Sequence, residues 1–187
     1  MSQDALLVVI DMQEVFRAPE SPWATPGFDE LRDPIGRLRE AFGDRIVYTR
    51  FLVPERPVGS WVPYYEAFPE VARPERRGWL ELAEPYRAWA PATLDRETFG
   101  KWGRQLEAAA GPSRTIVLCG VATDCCVIST ALPAADDGAF VRVVGDASRG
   151  VTAQAHDRAL AILNGYSPQI QVTTVDRELE RLSAVTP

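Results

Sequence analysis

Continuous apolar runs alternate along the chain with segments in which apolar residues recur every three or four positions. The first pattern is typical of a strand covered on both faces, and the second of a helix with one buried face. The strands are predicted at residues 5–10, 45–49, 92–94, 115–119, 140–144 and 170–174. The helices are predicted at residues 28–42, 101–110, 124–135, 153–163 and 176–182, with a short helical piece near 80–89. This alternation predicts an α/β fold with parallel strands and right-handed crossovers.

The overall composition is that of an ordinary globular protein, and we expect one domain over residues 1–187. The net charge of −6 argues against a nucleic-acid partner. The apolar run at residues 5–10 is too short to span a membrane and lacks a basic flank and cleavage site, so we expect a cytoplasmic protein without a membrane partner. Three cysteines, two of them adjacent, do not make a disulfide framework, and reduced thiols are expected.

Residues 50–92 form a long connection that is rich in proline, arginine and aromatic residues. Long connections in compact domains are often functional, so some of its aromatic side chains are candidates for lining a pocket. The apolar and aromatic part, residues 57–92, is also a candidate interface between copies of the chain. We expect a homodimer or a larger homo-oligomer.

Three chemically versatile residue types fall near the carboxyl ends of predicted strands, where open parallel sheets place their active sites. Asp11 follows the first strand, and Asp146 follows the fifth. The segment Gly-Val-Ala-Thr-Asp-Cys-Cys-Val, residues 120–127, follows the fourth strand and places thiols at the start of a helix. Lys101 is the only lysine among 20 cationic residues. An acid, a lysine and a thiol together indicate a cysteine hydrolase.

The chemistry of such a site follows from the thiolate, which is the nucleophilic form of cysteine. The amino end of a helix and a nearby lysine both favour that anion, and a lysine can also relay a proton. Asp11 can orient the lysine or accept the thiol proton, and backbone N–H groups around Ala122 and Cys126 can hold an oxyanion. The reaction predicted is attack on a carbonyl, loss of an amine or ammonia, and hydrolysis of the thioester.

Residues 10–13 and 120–127, followed by Thr130-Ala131 and Asp146-Ala147, resemble the isochorismatase-like cysteine hydrolases. This family includes nicotinamidases, N-carbamoylsarcosine amidases and isochorismatases, and the resemblance covers nearly the whole chain. It implies a three-layer α-β-α, Rossmann-like fold with a six-stranded, mostly parallel sheet flanked by helices. It also implies an Asp–Lys–Cys triad in which Asp11 is the acid and base and Cys126 the nucleophile. A cis peptide between Val121 and Ala122 is implied too, with the amides of Ala122 and Cys126 forming an oxyanion hole.

The chain departs from the family pattern in two places. The family lysine aligns near residues 95–99, where this chain has Arg96. We assign the role to Lys101 because arginine does not shuttle protons, and Arg96 is the alternative. Nicotinamidases carry an Asp-x-His metal site after the second strand, but residues 50–56 contain no histidine. The only histidine, His156, is expected on a helix surface, with a Cys–His dyad as the rival hypothesis; no metal and no cofactor are predicted.

The candidate substrate-binding residues follow the predicted catalytic segments or belong to the long connection. They are Gln13, Phe16, Trp23, Arg50, Trp61, Tyr64, Trp102, Val121 and Cys125. Arg50 can meet a substrate carboxylate, or it can pair with one of the many acids. Cys119 lies within a strand and is expected in the core.

The function predicted is a metal-independent cysteine hydrolase that cleaves a C–N bond in a small amide or carbamoyl compound. One alternative is an isochorismate pyruvate-hydrolase, which cleaves a vinyl ether and needs no thiol. The other is a catalytically silent binding or assembly module with the same fold.

Overall fold

Six parallel strands form one central sheet in the computed structural model, which describes residues 4–184. The strands are β1 (Leu6–Ile10), β2 (Ile46–Phe51), β3 (Thr93–Arg96), β4 (Thr115–Val121), β5 (Phe140–Arg149) and β6 (Ile170–Thr173). Their order across the sheet is β3-β2-β1-β4-β5-β6, and each neighbouring pair is parallel. The predicted α/β class is confirmed, and the sheet is entirely parallel.

The helices of the described residues cover both faces of this sheet. They are α1 (Glu14–Arg17), α2 (Arg32–Phe42), α3 (Trp61–Ala67), α4 (Tyr86–Trp89), α5 (Arg104–Ala110), α6 (Ile128–Asp136), α7 (Ala153–Asn164) and α8 (Val175–Ser183). Alternate residues of β1 enter two separate apolar cores: Leu7 and Val9 pack with α2, whereas Val8 packs with α5 and α6. The two cores and the sheet between them make the three layers that the family resemblance implied.

Several element boundaries differ from the prediction. The helix predicted from residue 101 begins only at Arg104, so Lys101 lies in the loop before α5. Strand β5 continues to Arg149, so the prediction that Asp146 falls at a strand end was wrong; its carboxylate instead accepts a hydrogen bond from Val175 N of α8. The predicted helix at residues 124–135 begins as a π-helical turn, Thr123–Val127, before α6.

The long connection is more ordered than the sequence pattern indicates. It contains α3, α4 and two 3-10 helices, Pro69–Ala72 and Pro74–Leu80. Most of its large side chains pack inward onto the α2 face of the sheet, whereas Val58 remains 71% exposed. The oligomer predicted from this segment stays a prediction. Among residues 4–184, no helix is long and apolar enough to cross a membrane.

Candidate active site

The chain changes direction across the sheet between β1 and β4, the two central strands. Later strands are added outward from β4, and the strands between β1 and β4 in the chain are added on the other side. Loops that leave neighbouring strands at such a switch point diverge to opposite faces and open a crevice. Asp11 follows β1 and the turn that carries Cys126 follows β4, so both residues lie at this crevice.

Gly120 allows the two central strands to approach closely at their carboxyl ends. It pairs with Ile10 across the sheet and has a φ of +108°. A Cβ atom at this position would lie 2.2 Å from the carbonyl oxygen of Ile10, so only glycine fits. The next residue after Ile10, Asp11, also has a positive φ of 49°, which is uncommon for a residue with a side chain. The backbone therefore has an uncommon conformation at the predicted catalytic acid and at the glycine that pairs with the residue before it.

Asp11 and Lys101 form an ion pair that is completely buried. Asp11 Oδ2 lies 2.8 Å from Lys101 Nζ, and both side chains have 0% exposure. The other carboxylate oxygen, Oδ1, accepts a hydrogen bond of 2.6 Å from the hydroxyl of Thr49 in β2, which also accepts one from the Asp11 N–H. The carboxylate is thus fixed by a neighbouring strand on one side and by the lysine on the other.

The lysine is fixed in turn by the loop before α5 and by the nucleophile segment. Its ammonium donates to Thr98 O at 3.0 Å and stands 5.1 Å from the ring centre of Phe51. Its backbone N–H donates to the hydroxyl of Thr130, which donates to the carbonyl of Cys126. Thr130 therefore connects the lysine loop to the turn that carries the thiol.

This turn wraps around the carbonyl oxygen of Ala122. The N–H groups of Cys125 and Val127 donate to it at 3.0 and 3.1 Å. The peptide between Val121 and Ala122 is cis, as the family resemblance implied. Cys126 follows within the turn and is 2% exposed. Its thiol feels the charges of both Asp11 and Lys101, so the structure brings all three predicted catalytic residues together.

The two adjacent thiols influence each other. Hydrogen bonding with Cys125, followed by burial and the charge of Asp11, raises the pKa of Cys126, whereas Lys101 lowers it. The same hydrogen bond lowers the pKa of Cys125. In the free protein Cys126 is therefore a thiol, and it needs a base to become the nucleophile. Burial raises the pKa of Cys119, which lies in the core of β4.

A cavity of about 420 Å³ opens above Cys126. It is lined by Phe16, Pro22, Trp23, Phe51, Tyr64, Phe68, Phe99, Ala122, Asp124, Cys125, Cys126 and Val151. The aromatic side chains contact one another. For example, the ring centre of Trp23 lies within 6.3 Å of the ring centres of Phe16, Phe51, Tyr64 and Phe68. The walls of the cavity are therefore mostly aromatic and apolar, and Cys126 forms part of its lining.

Four of the predicted substrate-binding residues line this cavity: Phe16, Trp23, Tyr64 and Cys125. Sequence reasoning missed Phe51, Phe68 and Phe99. Phe51 ends β2, and Phe99 precedes the lysine by two positions. That closeness to strand ends and to Lys101 was the available signal.

The other five predicted substrate-binding residues lie outside the cavity lining. Gln13 is buried and fixes the backbone, donating to Phe51 O and Leu80 O and accepting from Phe51 N. Val121 is buried in the core, and Trp61 packs against Phe51, Phe99, Tyr64 and Tyr65. Trp102 donates its indole N–H to Asp137. These placements indicate structural roles.

Arg50, the remaining member of the five, is occupied by acidic side chains of the protein itself. Its guanidinium makes two hydrogen bonds to the carboxylate of Asp95, at 3.0 and 2.8 Å, and one to Glu81.

Arg96, the alternative to Lys101, ends β3, and it is Lys101 that pairs with Asp11. His156 is half-buried, and its Nδ1 lies 2.8 Å from the hydroxyl of Thr123.

The residues of this chain do not fit a nicotinamidase-type metal site. Within residues 4–184, no group of three His, Cys, Asp or Glu side chains is placed to hold a metal ion. The segment after β2, residues 52–56, offers one acid, Glu55, and no histidine.

Comparison with known proteins agrees with the fold. The model of the isochorismatase domain matches residues 5–177, and the chain therefore belongs to the isochorismatase family of hydrolases. No curated protein matches the chain.

Solved structures with the same fold include a cysteine hydrolase, a pyrazinamidase and a nicotinamidase. A cysteine hydrolase from Pseudomonas syringae pv. phaseolicola superposes with a TM-score of 0.81 at 20% identity, over 100% of this chain and 95% of that one. The pyrazinamidase of Pyrococcus horikoshii, solved in complex with zinc, is 25% identical with a TM-score of 0.65, over 91% and 99%. A nicotinamidase from Bacillus subtilis is 19% identical with a TM-score of 0.71, over 91% and 99%.

Proposed function

We propose that this protein is a metal-independent cysteine hydrolase that cleaves the C–N bond of a small amide or carbamoyl compound through a thioester on Cys126. The observation that carries the proposal is the completely buried Asp11–Lys101 ion pair beside a thiol that opens onto an apolar cavity. A buried lysine and carboxylate are costly to maintain for stability alone. Their position at a nucleophile, at the switch point of the sheet, supports a role in chemistry.

In the first step Asp11 acts as the general base. Because the raised pKa of Cys126 leaves it protonated, the proton moves from the sulfur to the Asp11 carboxylate as the sulfur attacks the substrate carbonyl. Lys101 remains positively charged and stabilises the negative charge on sulfur and then on the substrate oxygen. The backbone N–H groups of Ala122 and Cys126 are proposed to hold that oxygen.

In the second step the C–N bond breaks, and the leaving nitrogen takes the proton from Asp11. The acyl group stays on Cys126 as a thioester. A water molecule then attacks the thioester carbonyl while Asp11 accepts one of its protons. The C–S bond breaks, the sulfur recovers a proton from Asp11, and the carboxylic or carbamic acid departs.

The charge of the cavity supports an uncharged substrate. Among the described residues that line it, none is lysine or arginine, and Arg50 is engaged with Asp95 and Glu81. Isochorismate carries carboxylates, which need cationic partners to leave water. The vinyl-ether alternative therefore lacks the binding groups that it requires, and a neutral amide fits the apolar walls better.

The test combines thiol reactivity with product formation. The rate of iodoacetamide modification is measured from pH 5 to 9 with an intact-mass readout, and ammonia release is measured with a panel of neutral amides. Because its raised pKa makes Cys126 depend on Asp11 as a base, we expect measurable alkylation at Cys126, distinguished from alkylation at Cys125, and one hydrolysed amide. Both should be lost in Cys126→Ala and slowed in Lys101→Met. An unreactive Cys126 would rule out the nucleophile assignment. A reactive Cys126 without any hydrolysed amide would favour the binding-module alternative.

A further inference from the structure

The only histidine of the chain contacts the turn that carries the proposed nucleophile. His156 lies on α7, and its Nδ1 is 2.8 Å from the hydroxyl oxygen of Thr123. Thr123 is fully buried and stands between Ala122 and the two cysteines, as the first residue of the π-helical turn. This hydrogen bond therefore joins α7 to the start of the nucleophile turn.

A second link between the same two segments lies one residue further along the turn. Asp124 Oδ1 accepts a hydrogen bond of 3.0 Å from Val151 N, in the loop before α7. Gly150 makes the approach possible, because a Cβ atom there would lie 2.7 Å from Asp124 Oδ1 and 2.8 Å from His156 N. Val151 and Asp124 both line the cavity above the thiol. The turn and the cavity rim are thus held together by α7 and its leading loop.

The direction of the Thr123–His156 hydrogen bond depends on the protonation of the imidazole. A neutral ring with an unprotonated Nδ1 accepts the hydroxyl proton of Thr123. A protonated ring offers only donors, so the buried hydroxyl then loses its acceptor. Four charged groups face this ring or its neighbours: Arg149 of β5, Asp124 of the turn, Asp157 of α7, and Glu30, which pairs with Arg149. Burial, followed by the charge of Arg149, lowers the pKa of His156, and the ring is neutral at pH 7.

We propose that neutral His156 is a positioning residue that acts through Thr123 to hold the turn presenting Cys126 and the Ala122 amide. The inference rests on the proposed role of Cys126 as nucleophile. Because His156 also borders a surface cavity of about 360 Å³, its ring exchanges protons with solvent. Protonation of His156 at low pH reverses the Thr123–His156 hydrogen bond, leaves the Thr123 hydroxyl proton without that acceptor, and slows the reaction of Cys126 by disturbing the turn.

Two matched pairs of variants test this role. Thr123→Val keeps the shape of the side chain without its hydroxyl, and Thr123→Ser keeps the hydroxyl. His156→Ala removes the acceptor, whereas His156→Asn keeps an acceptor near the Nδ1 position that cannot be protonated. We expect alkylation of Cys126 by iodoacetamide at pH 7 to slow about tenfold or more in the Val and Ala variants. The Ser and Asn variants should react like the wild type, and the rate ratio of Asn variant to wild type should rise as the pH falls.

A spectroscopic measurement separates positioning from folding defects. In tag-free protein the single histidine gives one Cε1–H resonance, whose titration follows His156 directly. We expect a pKa below the usual range, and a change in that pKa after Cys126 is alkylated. An unchanged histidine titration together with wild-type alkylation of Thr123→Val would overturn the proposal. Because alkylation needs no substrate, slow alkylation of the Val variant supports positioning even if no amide is hydrolysed, in which case only the proposed function fails.

Discussion

Two buried ion pairs of this protein have nearly the same geometry and different surroundings. Lys101 and Asp11 meet at 2.8 Å with both side chains fully buried, and Arg142 and Glu178 meet at 2.8 Å with exposures of 10% and 0%. The first pair lies at the carboxyl edge of the sheet beside Cys126. The second joins the amino-terminal part of β5 to α8. Both carry a similar desolvation cost, so burial alone does not distinguish a catalytic pair from a structural one.

The cation type separates the two pairs. Arginine stays protonated under all ordinary conditions, and its planar group suits a fixed link between two elements. Lysine is a compact charge that can give up a proton, and this chain uses it only once among 20 cationic residues. The acid of the lysine pair also has a left-handed backbone, a strained conformation that is often found at functional sites. Residue type and backbone strain together support the proposal that the first pair is the reactive one.

The largest effect is expected from exchanging the two cations. Lys101→Arg keeps a positive charge beside Asp11, but the larger planar guanidinium does not fit the position of the compact ammonium between Asp11 and the thiol. We expect kcat/KM for an amide substrate to fall by about 10²–10⁴-fold. The matched control is Arg142→Lys, which keeps the charge of the other pair and should retain wild-type kcat/KM. Equal losses in the two variants, measured by ammonia release, would mean that Lys101 has no chemical role that Arg142 lacks.

The second prediction concerns stability. Glu178→Gln leaves Arg142 buried without its counter-charge, which costs about 3–5 kcal/mol of folding free energy. Activity per folded molecule should remain, because Glu178 lies away from the cavity. Urea denaturation measures the first quantity and a rate normalised to the folded fraction measures the second. A fully stable Glu178→Gln protein would show that this pair contributes nothing to the fold.

A third prediction sharpens the role of the adjacent thiol. Hydrogen bonding with Cys125 raises the pKa of Cys126, so Cys125→Ala should lower it. A lower pKa gives more thiolate at a given pH, so the alkylation profile of Cys126 moves to lower pH. Mass-resolved iodoacetamide kinetics from pH 5 to 9 measure the shift, with Cys119→Ala as the control. A shift to higher pH would mean that Cys125 assists ionisation of its neighbour.

The smallest effect is expected at a third, partly exposed ion pair. Arg50 is 20% exposed and is shared between Asp95 and Glu81, so Arg50→Ala should cost about 1 kcal/mol or less. Because its guanidinium is already occupied, KM for a neutral amide should not change. A large increase in KM would instead restore the prediction that Arg50 binds substrate. Asp95→Asn serves as the companion variant, since it weakens the same ion pair from the other side.

The sequence indicated the sheet and the two segments proposed to be catalytic because their signals are local. The apolar run before Asp11 and the glycine turn before Cys126 each indicate a strand end without knowledge of the rest of the chain. The partners of Arg50 and the hydrogen bond between Thr123 and His156 join residues more than 30 positions apart. Such contacts depend on the packing of the whole fold. In the long connection the helical piece predicted near residues 80–89 contains α4, whereas α3 and the two 3-10 helices were missed because proline and arginine obscure their short apolar periodicity.

The cavity has a consequence for redesign. Its reactive side comes from the turn after β4, whereas Tyr64 and Phe68 come from α3 and the residue that follows it, in the long connection. These two stretches are separated in the chain, and each folds onto its own part of the sheet. The part of the wall formed by Tyr64 and Phe68 can therefore be exchanged by grafting another connection between β2 and β3. Phe16, Trp23 and Phe99 would keep the rest of the wall, so such a graft would reshape one side of the cavity without moving Cys126.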